Sequence, residues 1–252
     1  MNILVCVKRV ADTIAKIKVG GDSKSIDEAG VQFVLNPYDE FAVEEAIKLK
    51  EKAGKGEVTV VTIGGADARQ VLTNALAMGA DKGIHVKDTV QRRDPSAIAK
   101  TLAKVVEGLN PKPDLILCGR QAIDEQALTV GPMLATFLGF PCVTDIVKLE
   151  MGAGKATVSR EIEGGHEVVE VDLPALFTTN KGLNEPRYAS LKGIMAAKKK
   201  PIQDLAIPIA EERTVIRKME YPPERKGGKI VGNGPEAAPE LVRLLKEEAK
   251  AL

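Results

Sequence analysis

Three segments of this chain end a short apolar run or open a helical pattern in a way that could meet a ligand. Ile63-Gly-Gly65 closes the apolar run 58–63 just before a helix. Two glycines there let backbone lie close to a ligand at the carboxyl edge of a sheet, although glycine pairs equally serve plain turn chemistry. Gly119-Arg-Gln-Ala-Ile-Asp-Glu-Gln-Ala-Leu-Thr-Val-Gly131 also follows an apolar run and leads into a helix. N–H groups at that helix start, with the Thr129 hydroxyl, suit a phosphate, and Asp124 serves equally as a capping residue. Asn36-Pro-Tyr-Asp39, placed before a helix, carries the same double meaning.

Acid–base, nucleophilic and metal chemistry have less to stand on. His85 and His166 are the two imidazoles, one in a strand-like run and one at a Gly-Gly turn, and neither has a Ser or Cys in a nucleophile motif. Both read as structural or surface residues. Cys6, Cys118 and Cys142 are far apart and form no CxxC or Cys/His cluster, which argues against zinc and iron–sulfur ligation. Cys6 and Cys118 sit inside apolar strands, where a thiol acts as a small buried hydrophobe. The pairs Glu44-Glu45 and Glu247-Glu248 read as solvated carboxylates on exposed helix faces. No Gly-x-Gly-x-x-Gly follows a strand and no Walker sequence is present.

Composition narrows the partners. Basic and acidic residues number 36 and 35, so no global field recruits nucleic acid or an anionic membrane. Trp is absent and aromatics make up 3%, which leaves few rings to stack on bases. No apolar run approaches the roughly 20 residues needed to span a bilayer, and the first residues run straight into a strand without a targeting pattern. With three cysteines and no even disulfide framework, the expectation is a cytoplasmic protein with no direct membrane insertion.

The elements that must position these groups alternate. Residues 3–7, 58–63, 83–86 and 115–118 are Val/Ile/Leu-rich runs of the kind found in buried parallel strands. Residues 40–53, 66–78 and 95–109 carry apolar residues at three- and four-residue intervals, which marks amphipathic helices. Asp94-Pro95 supplies an N-cap and a first-turn proline. Residues 143–151, 157–162 and 167–173 follow as strand-like runs with glycine turns between them, an antiparallel addition, and 175–179 returns to the core. The predicted fold class is α/β, a doubly wound, mostly parallel, Rossmann-like sheet with an added antiparallel region and a C-terminal arm.

The domain reading is 1–200 for the α/β body and 201–252 for the arm. The arm contains Pro208, Pro222, Pro223, the basic Arg225-Lys-Gly-Gly-Lys229 and Pro235, with a closing helix over 239–252 that uses Leu241, Leu244, Leu245 and Ala249. Such a segment orders by packing on something else. Between body and arm, residues 183–200 read as a docking surface. Leu191, Ile194 and Met195 stand at helical spacing among Lys192, Lys198, Lys199 and Lys200, an apolar knob ringed by cations that suits brief contact with an acidic partner.

Several ordered strings together resemble the β-subunit of the electron transfer flavoproteins. They are Met1-Asn-Ile-Leu-Val-Cys-Val-Lys-Arg9, Asn36-Pro-Tyr-Asp-Glu-Phe-Ala-Val-Glu-Glu-Ala46, Ala75-Leu-Ala-Met-Gly-Ala-Asp81, Gly119-Arg-Gln-Ala-Ile-Asp124, the Ser159-Arg-Glu-Ile-Glu-Gly-Gly165 region and Asn184-Glu-Pro-Arg-Tyr188. The resemblance implies a heterodimer with an α-subunit that holds most of an FAD, a structural AMP in this chain, acyl-CoA or related flavin dehydrogenases as donors in pathways such as fatty acid oxidation, and a membrane quinone oxidoreductase as acceptor. It implies an electron carrier with no catalytic residue of its own. It implicates Cys6, Asn36, Pro37, Tyr38, Asp39, Ile63, Gly119, Arg120, Gln121, Ala122, Ile123, Asp124, Leu128, Thr129 and Val130 in holding AMP, and an arm that wraps the partner. Members often carry polar residues where Leu128 and Val130 stand, which leaves backbone contacts there. They often have an aromatic near Asp12-Thr13, where this chain has none. The alternative within the family is an electron-bifurcating form with a second FAD and NADH as donor; the alternative outside it is a stand-alone adenine-nucleotide-binding sensor. A eukaryotic member would lie in the mitochondrial matrix.

Overall fold

A computed structural model describes residues 1–224 and 227–252, so that Arg225 and Lys226 of the basic arm segment lie outside the described residues. In chain order the elements are β1 Asn2–Cys6, β2 Arg9–Ala11, β3 Lys18–Val19, β4 Ile26–Asp27, β5 Phe33–Leu35, α1 Pro37–Ala53, β6 Glu57–Gly64, α2 Arg69–Met78, β7 Lys82–Lys87 and α3 Pro95–Gly108. There follow β8 Leu115–Gly119, α4 Val130–Leu138, β9 Cys142–Met151, β10 Lys155–Ile162, β11 Gly165–Asp172, β12 Ala175–Thr179, α5 Leu191–Ala197, β13 Ile202–Leu205 and α6 Ala238–Glu247. Asn36, Pro37, Tyr38 and Asp39 do not precede α1 as a loop. Pro37 takes the first helical turn, where its missing N–H costs nothing, and Asn36 stands at the cap position.

Nine strands form one sheet in the order β11-β10-β9-β12-β8-β1-β6-β7-β13. From β12 to β13 every pairing is parallel, and β9 joins β12 in parallel before turning into the antiparallel β9-β10-β11 extension. Alternate residues of the central strands feed two apolar layers. Ile3, Val5, Leu115, Leu117 and Phe177 pack with Val43 and Ile47 of α1 and with Leu72 and Leu76 of α2. Leu4, Val61, Ile84, Ile116 and Leu176 pack with Leu102 and Val106 of α3 and Leu134 of α4. The chain builds β1, β6 and β7 outwards in one direction and then crosses through α3 to place β8 on the other side of β1. The crevice between the ends of β1 and β8 is therefore the topological switch point of a doubly wound sheet, where such folds take ligands.

Met1–Met219 form one compact unit and Glu220–Leu252 a second. Residues 202–219, which the sequence assigns to the arm, lie within the first. Ile202–Leu205 is a parallel edge strand on β7, and Ile207 and Ile209 pack against the α3 layer. Asp94 Oδ2 accepts from Arg213 N at 2.5 Å and Thr214 N at 3.0 Å, and Glu212 accepts from Asp94 N and Arg93 Nη1. Spaced isoleucines give this stretch a buried side that proline content obscures. In the second unit α6 stops at Glu247 instead of running to Leu252, and Lys250 takes a left-handed φ of 50°. Arg243 pairs with Glu240 and Glu247 along it, while Leu241 and Val242 are exposed.

The pair Glu44-Glu45 is a correction. Both carboxylates are buried, Glu44 to 4% exposure, because residues 183–188 lie across α1. Arg187 Nε donates to Glu44 Oε2 at 2.8 Å and Nη2 to Oε1 at 3.0 Å, while Nη1 reaches Glu51 at 2.7 Å. Asn184 Nδ2 donates to Glu45 Oε2 at 2.8 Å and to Phe41 O. Removing the guanidinium strands a desolvated carboxylate, which costs more than the contact itself contributes. Arg187→Ala is expected to lower unfolding stability by about 2 kcal/mol, and urea titration with Glu51→Ala as a surface control, expected to lose far less, checks it.

Candidate functional site

Asp39, one turn into α1, is the residue that ties the switch point together. Its Oδ2 accepts from Lys8 N just past β1 at 2.7 Å, and its Oδ1 accepts from Gly119 N at the end of β8 at 3.1 Å and from Asn36 Nδ2 at 2.9 Å. Burial pushes its carboxyl up to about 7, against the pull of the Asn36, Lys8 and Gly119 donors. Gly119 has to be glycine here, since a Cβ would collide with the Asp39 carboxylate and with Tyr38. Asn36 braces the loop that follows: its Nδ2 also donates to Gln121 O at 2.9 Å, and its Oδ1 accepts from Ile123 N at 3.2 Å.

Above this floor lies a cleft of about 360 Å³ at the carboxyl ends of β1, β6 and β8. Of the residues singled out in the sequence, Cys6, Asp39, Ile63, Gly119, Arg120, Gln121, Ala122, Leu128, Thr129 and Val130 line it. Asn36, Pro37, Tyr38, Ile123 and Asp124 are not among the lining residues. Asn36 is the brace described above, and Tyr38 gives its carbonyl to Thr179 Oγ1. Asp124 caps no helix; it meets Lys8 Nζ at 2.9 Å. The loop between β8 and α4 bends through left-handed residues at Gln126, φ 52°, and Leu128, φ 57°. Alternating hands of backbone turn successive N–H groups to one side, an anion-accepting arrangement. Thr129 stands at the α4 cap position without using its hydroxyl to cap, which leaves that oxygen to the cleft it lines.

The other wall went unread in the sequence. Arg9 stacks on the Phe33 ring at 3.4 Å, and Lys8 Nζ and Arg92 Nε both reach Glu125 Oε1, at 2.9 and 3.3 Å. Arg120 Nε lies 3.0 Å from Asp145 Oδ1, so its charge is anchored at the edge of the cleft. Thr62 Oγ1, in a residue 1% exposed, and the buried Arg9 Nε both border the cleft and find no hydrogen-bond partner in the chain. Buried polar atoms of that kind are satisfied by a ligand or ordered water. The Cys118 thiol, which also lines the cleft, is pushed well up, by the neighbouring Cys6 sulfur first and by burial second.

A second feature stands apart from the cleft. On α5, Leu191 is 84% exposed, with Met195 and Ile194 also outward and Tyr188 at 98% just before the helix. Ser190 caps the helix by accepting from Gly193 N at 3.0 Å. Gly193 lies against α2 so closely that a Cβ would strike Ala77 O. Lys198 and Lys199 are exposed, but Lys200 is not part of the cationic ring. Its Nζ donates to Leu76 O at 2.9 Å and Ala80 O at 2.5 Å, closing the end of α2.

Residues 24–210 match the model of the electron transfer flavoprotein domain. Across 262 aligned positions the chain is 42% identical to "Electron transfer flavoprotein subunit beta" of Bacillus subtilis, covering the whole of both. The chain belongs to the electron transfer flavoprotein β-subunit family. The Bradyrhizobium diazoefficiens β-subunit is 44% identical over the full length of both chains, and the human one 42% over 98% of this chain and 97% of its own. The rice β-subunit, 41% identical over full length, is named as mitochondrial. Family membership carries flavin-dependent electron transfer and an α-subunit as partner. Among the described residues no helix is long and apolar enough to cross a membrane.

The Asp39 carboxyl yields a pH prediction. Its folded pKa of about 7 stands above the ordinary 3.8, so its contribution to stability is full below pH 3.8 and is lost as pH rises through about 7. Asp39→Asn lacks that titration. Urea unfolding at intervals from pH 4 to 7.5 should show the variant gaining on the wild type as pH rises; a difference that stays flat would remove Asp39 from the account.

Proposed function

We propose that this β-subunit holds a structural AMP in the switch-point cleft, shares an FAD held mainly by its α-subunit, and docks acyl-CoA or related flavin dehydrogenases through α5. The pair then passes electrons towards a membrane quinone oxidoreductase. The observation that carries this reading is the exposed Leu191, Ile194 and Met195 patch flanked by Lys198 and Lys199 on a helix fixed to α2. A monomer leaves such a patch open only at some cost in solubility, and a small apolar centre with a charged rim is what a transient electron-transfer contact uses.

Flavin supplies the redox chemistry when bound. What this chain does is bind and position. The α4 end of the cleft offers N–H groups and the Thr129 hydroxyl for a phosphate, with Arg120 alongside. Ile63, Val61 and Cys6 supply apolar wall. At about 360 Å³ the cleft lies at the small end of ligand pockets, which run to about 1,000 Å³. That favours a mononucleotide over a second FAD, whose flavin half would need as much room again. The arm, Glu220–Leu252, is the segment that packs on the α-subunit, and truncation after Met219 should abolish heterodimer formation on size-exclusion chromatography.

Denatured heterodimer should release FAD and AMP in equal amounts by mass spectrometry. Two FAD per heterodimer, with rapid flavin reduction by NADH, would establish the bifurcating form instead. Leu191→Ala should slow electron uptake from a dehydrogenase about tenfold or more, as loss of a central anchor does, with the flavin absorbance unchanged. Stopped-flow rates equal to wild type would return Leu191 to an ordinary surface residue.

A further inference from the structure

His85 is wholly buried in β7, in register with Thr62 of β6 on one side and Asp204 of β13 on the other. Strand alternation puts all three on the face covered by α2, where Val60 and Ile202 belong to the apolar layer. They form a polar row that runs from the cleft, which Thr62 lines, to the edge of the sheet. A buried, satisfied histidine would ordinarily end the matter. What it is satisfied by gives it a further role.

The Nε2 atom lies 3.0 Å from Gly64 O and 3.1 Å from Gly65 O, while Nδ1 lies 3.3 Å from Asp204 Oδ1. Two carbonyl oxygens offer only lone pairs, so Nε2 carries the hydrogen and donates to both. Asp204 is itself held in place by Lys87 Nζ at 3.0 Å and by Arg69. In a trans peptide the N–H points opposite to the C=O. Drawing the carbonyls of Gly64 and Gly65 back towards the imidazole therefore turns the N–H groups of Gly65 and Ala66 away from it. Gly64 and Gly65 line the cleft, and Thr62 with its unpartnered hydroxyl borders the same wall.

We propose that His85 is a positioning residue for the nucleotide: it fixes the Gly64-Gly65 turn so that the Gly65 and Ala66 N–H groups and the Thr62 hydroxyl present donors to the polar edge of an adenine nucleotide. This rests on the cleft being a nucleotide site. His85 never touches the ligand; it acts through two carbonyls, from inside the sheet.

The test uses the nucleotide-depleted heterodimer, with AMP and FAD as separate titrants in calorimetry. His85→Leu removes the imidazole donor from both carbonyls, which keep one backbone donor each, Asp88 N on Gly64 O and Ala68 N on Gly65 O, and is expected to weaken AMP binding severalfold, while the flavin of the α-subunit keeps its absorbance. His85→Gln, whose amide can donate in place of Nε2, should recover most of the affinity. In wild type, AMP should slow amide exchange at Gly65 and Ala66; in His85→Leu it should not. Where His85→Leu does not assemble, Asp204→Ala removes the group that faces Nδ1 and should weaken AMP binding severalfold. Wild-type affinity and exchange protection in whichever of these variants assembles overturns the role of His85. A wild type that binds neither AMP nor FAD in this cleft overturns the nucleotide reading, and the inference with it, a result visible before any variant is made.

Discussion

A single buried carboxylate holds the switch point in shape. β1 and β8 are neighbours whose chain connections leave in opposite directions, so nothing in the ladder between them dictates where their exits go. Asp39 supplies that instruction by accepting from Lys8 N beyond one strand and Gly119 N at the end of the other. Its third donor, Asn36, passes the constraint to Gln121 and Ile123, so the loop after β8 is hung from the same point. Three N–H donors offset part of the cost of burying the charge, and what remains appears as the raised pKa. The site thus has a floor made of backbone donors turned inward to one acceptor, and walls made of backbone donors free to turn outward.

Residues 183–200 obey the opposite logic: the apolar groups of α5 face out, and the polar groups around it are spent on anchoring. Arg187, Asn184, Ser190 and Lys200 all direct their donors or acceptors into α1, α2 or the local backbone. That leaves Leu191, Ile194 and Met195 projecting from a fixed base. A partner that docked there, as proposed, would not have to order the segment first, which would keep the entropic cost of a short-lived encounter low.

Periodicity made the body legible. Runs of Val, Ile and Leu buried on both faces, separated by helices with apolar stripes, can hardly be read otherwise, and Asp94-Pro95 marked the start of α3 to the residue. The ordered motifs likewise pointed to the β1, β6 and β8 ends of the cleft. What remained hidden depends on contacts between residues far apart in sequence. Glu44 and Glu45 look solvated until Arg187, more than a hundred residues on, lies over them. β13 has four residues and no partner nearby in sequence, so its pairing with β7 could not be inferred from pattern. Lys200 looked like one more cation in a row, and only the carbonyls of Leu76 and Ala80 distinguish it. The second wall of the cleft, from Arg9 to Arg92, carries no motif because its residues are brought together by β2, β5 and the turn after β7.

Helix α1 has Asp39 in its first turn and Glu44 and Glu51 further along, the last two held by Arg187 of the segment before α5. At 1.5 Å per residue, Asp39 and Glu51 are about 18 Å apart along one unbroken rod. The floor of the cleft and the base of the exposed α5 knob are thus fastened to the two ends of one strut. Rotation of that strut about its axis would move both at once, so that, on the roles proposed for α5 and the cleft, a partner and a ligand would bear on one mechanical coordinate.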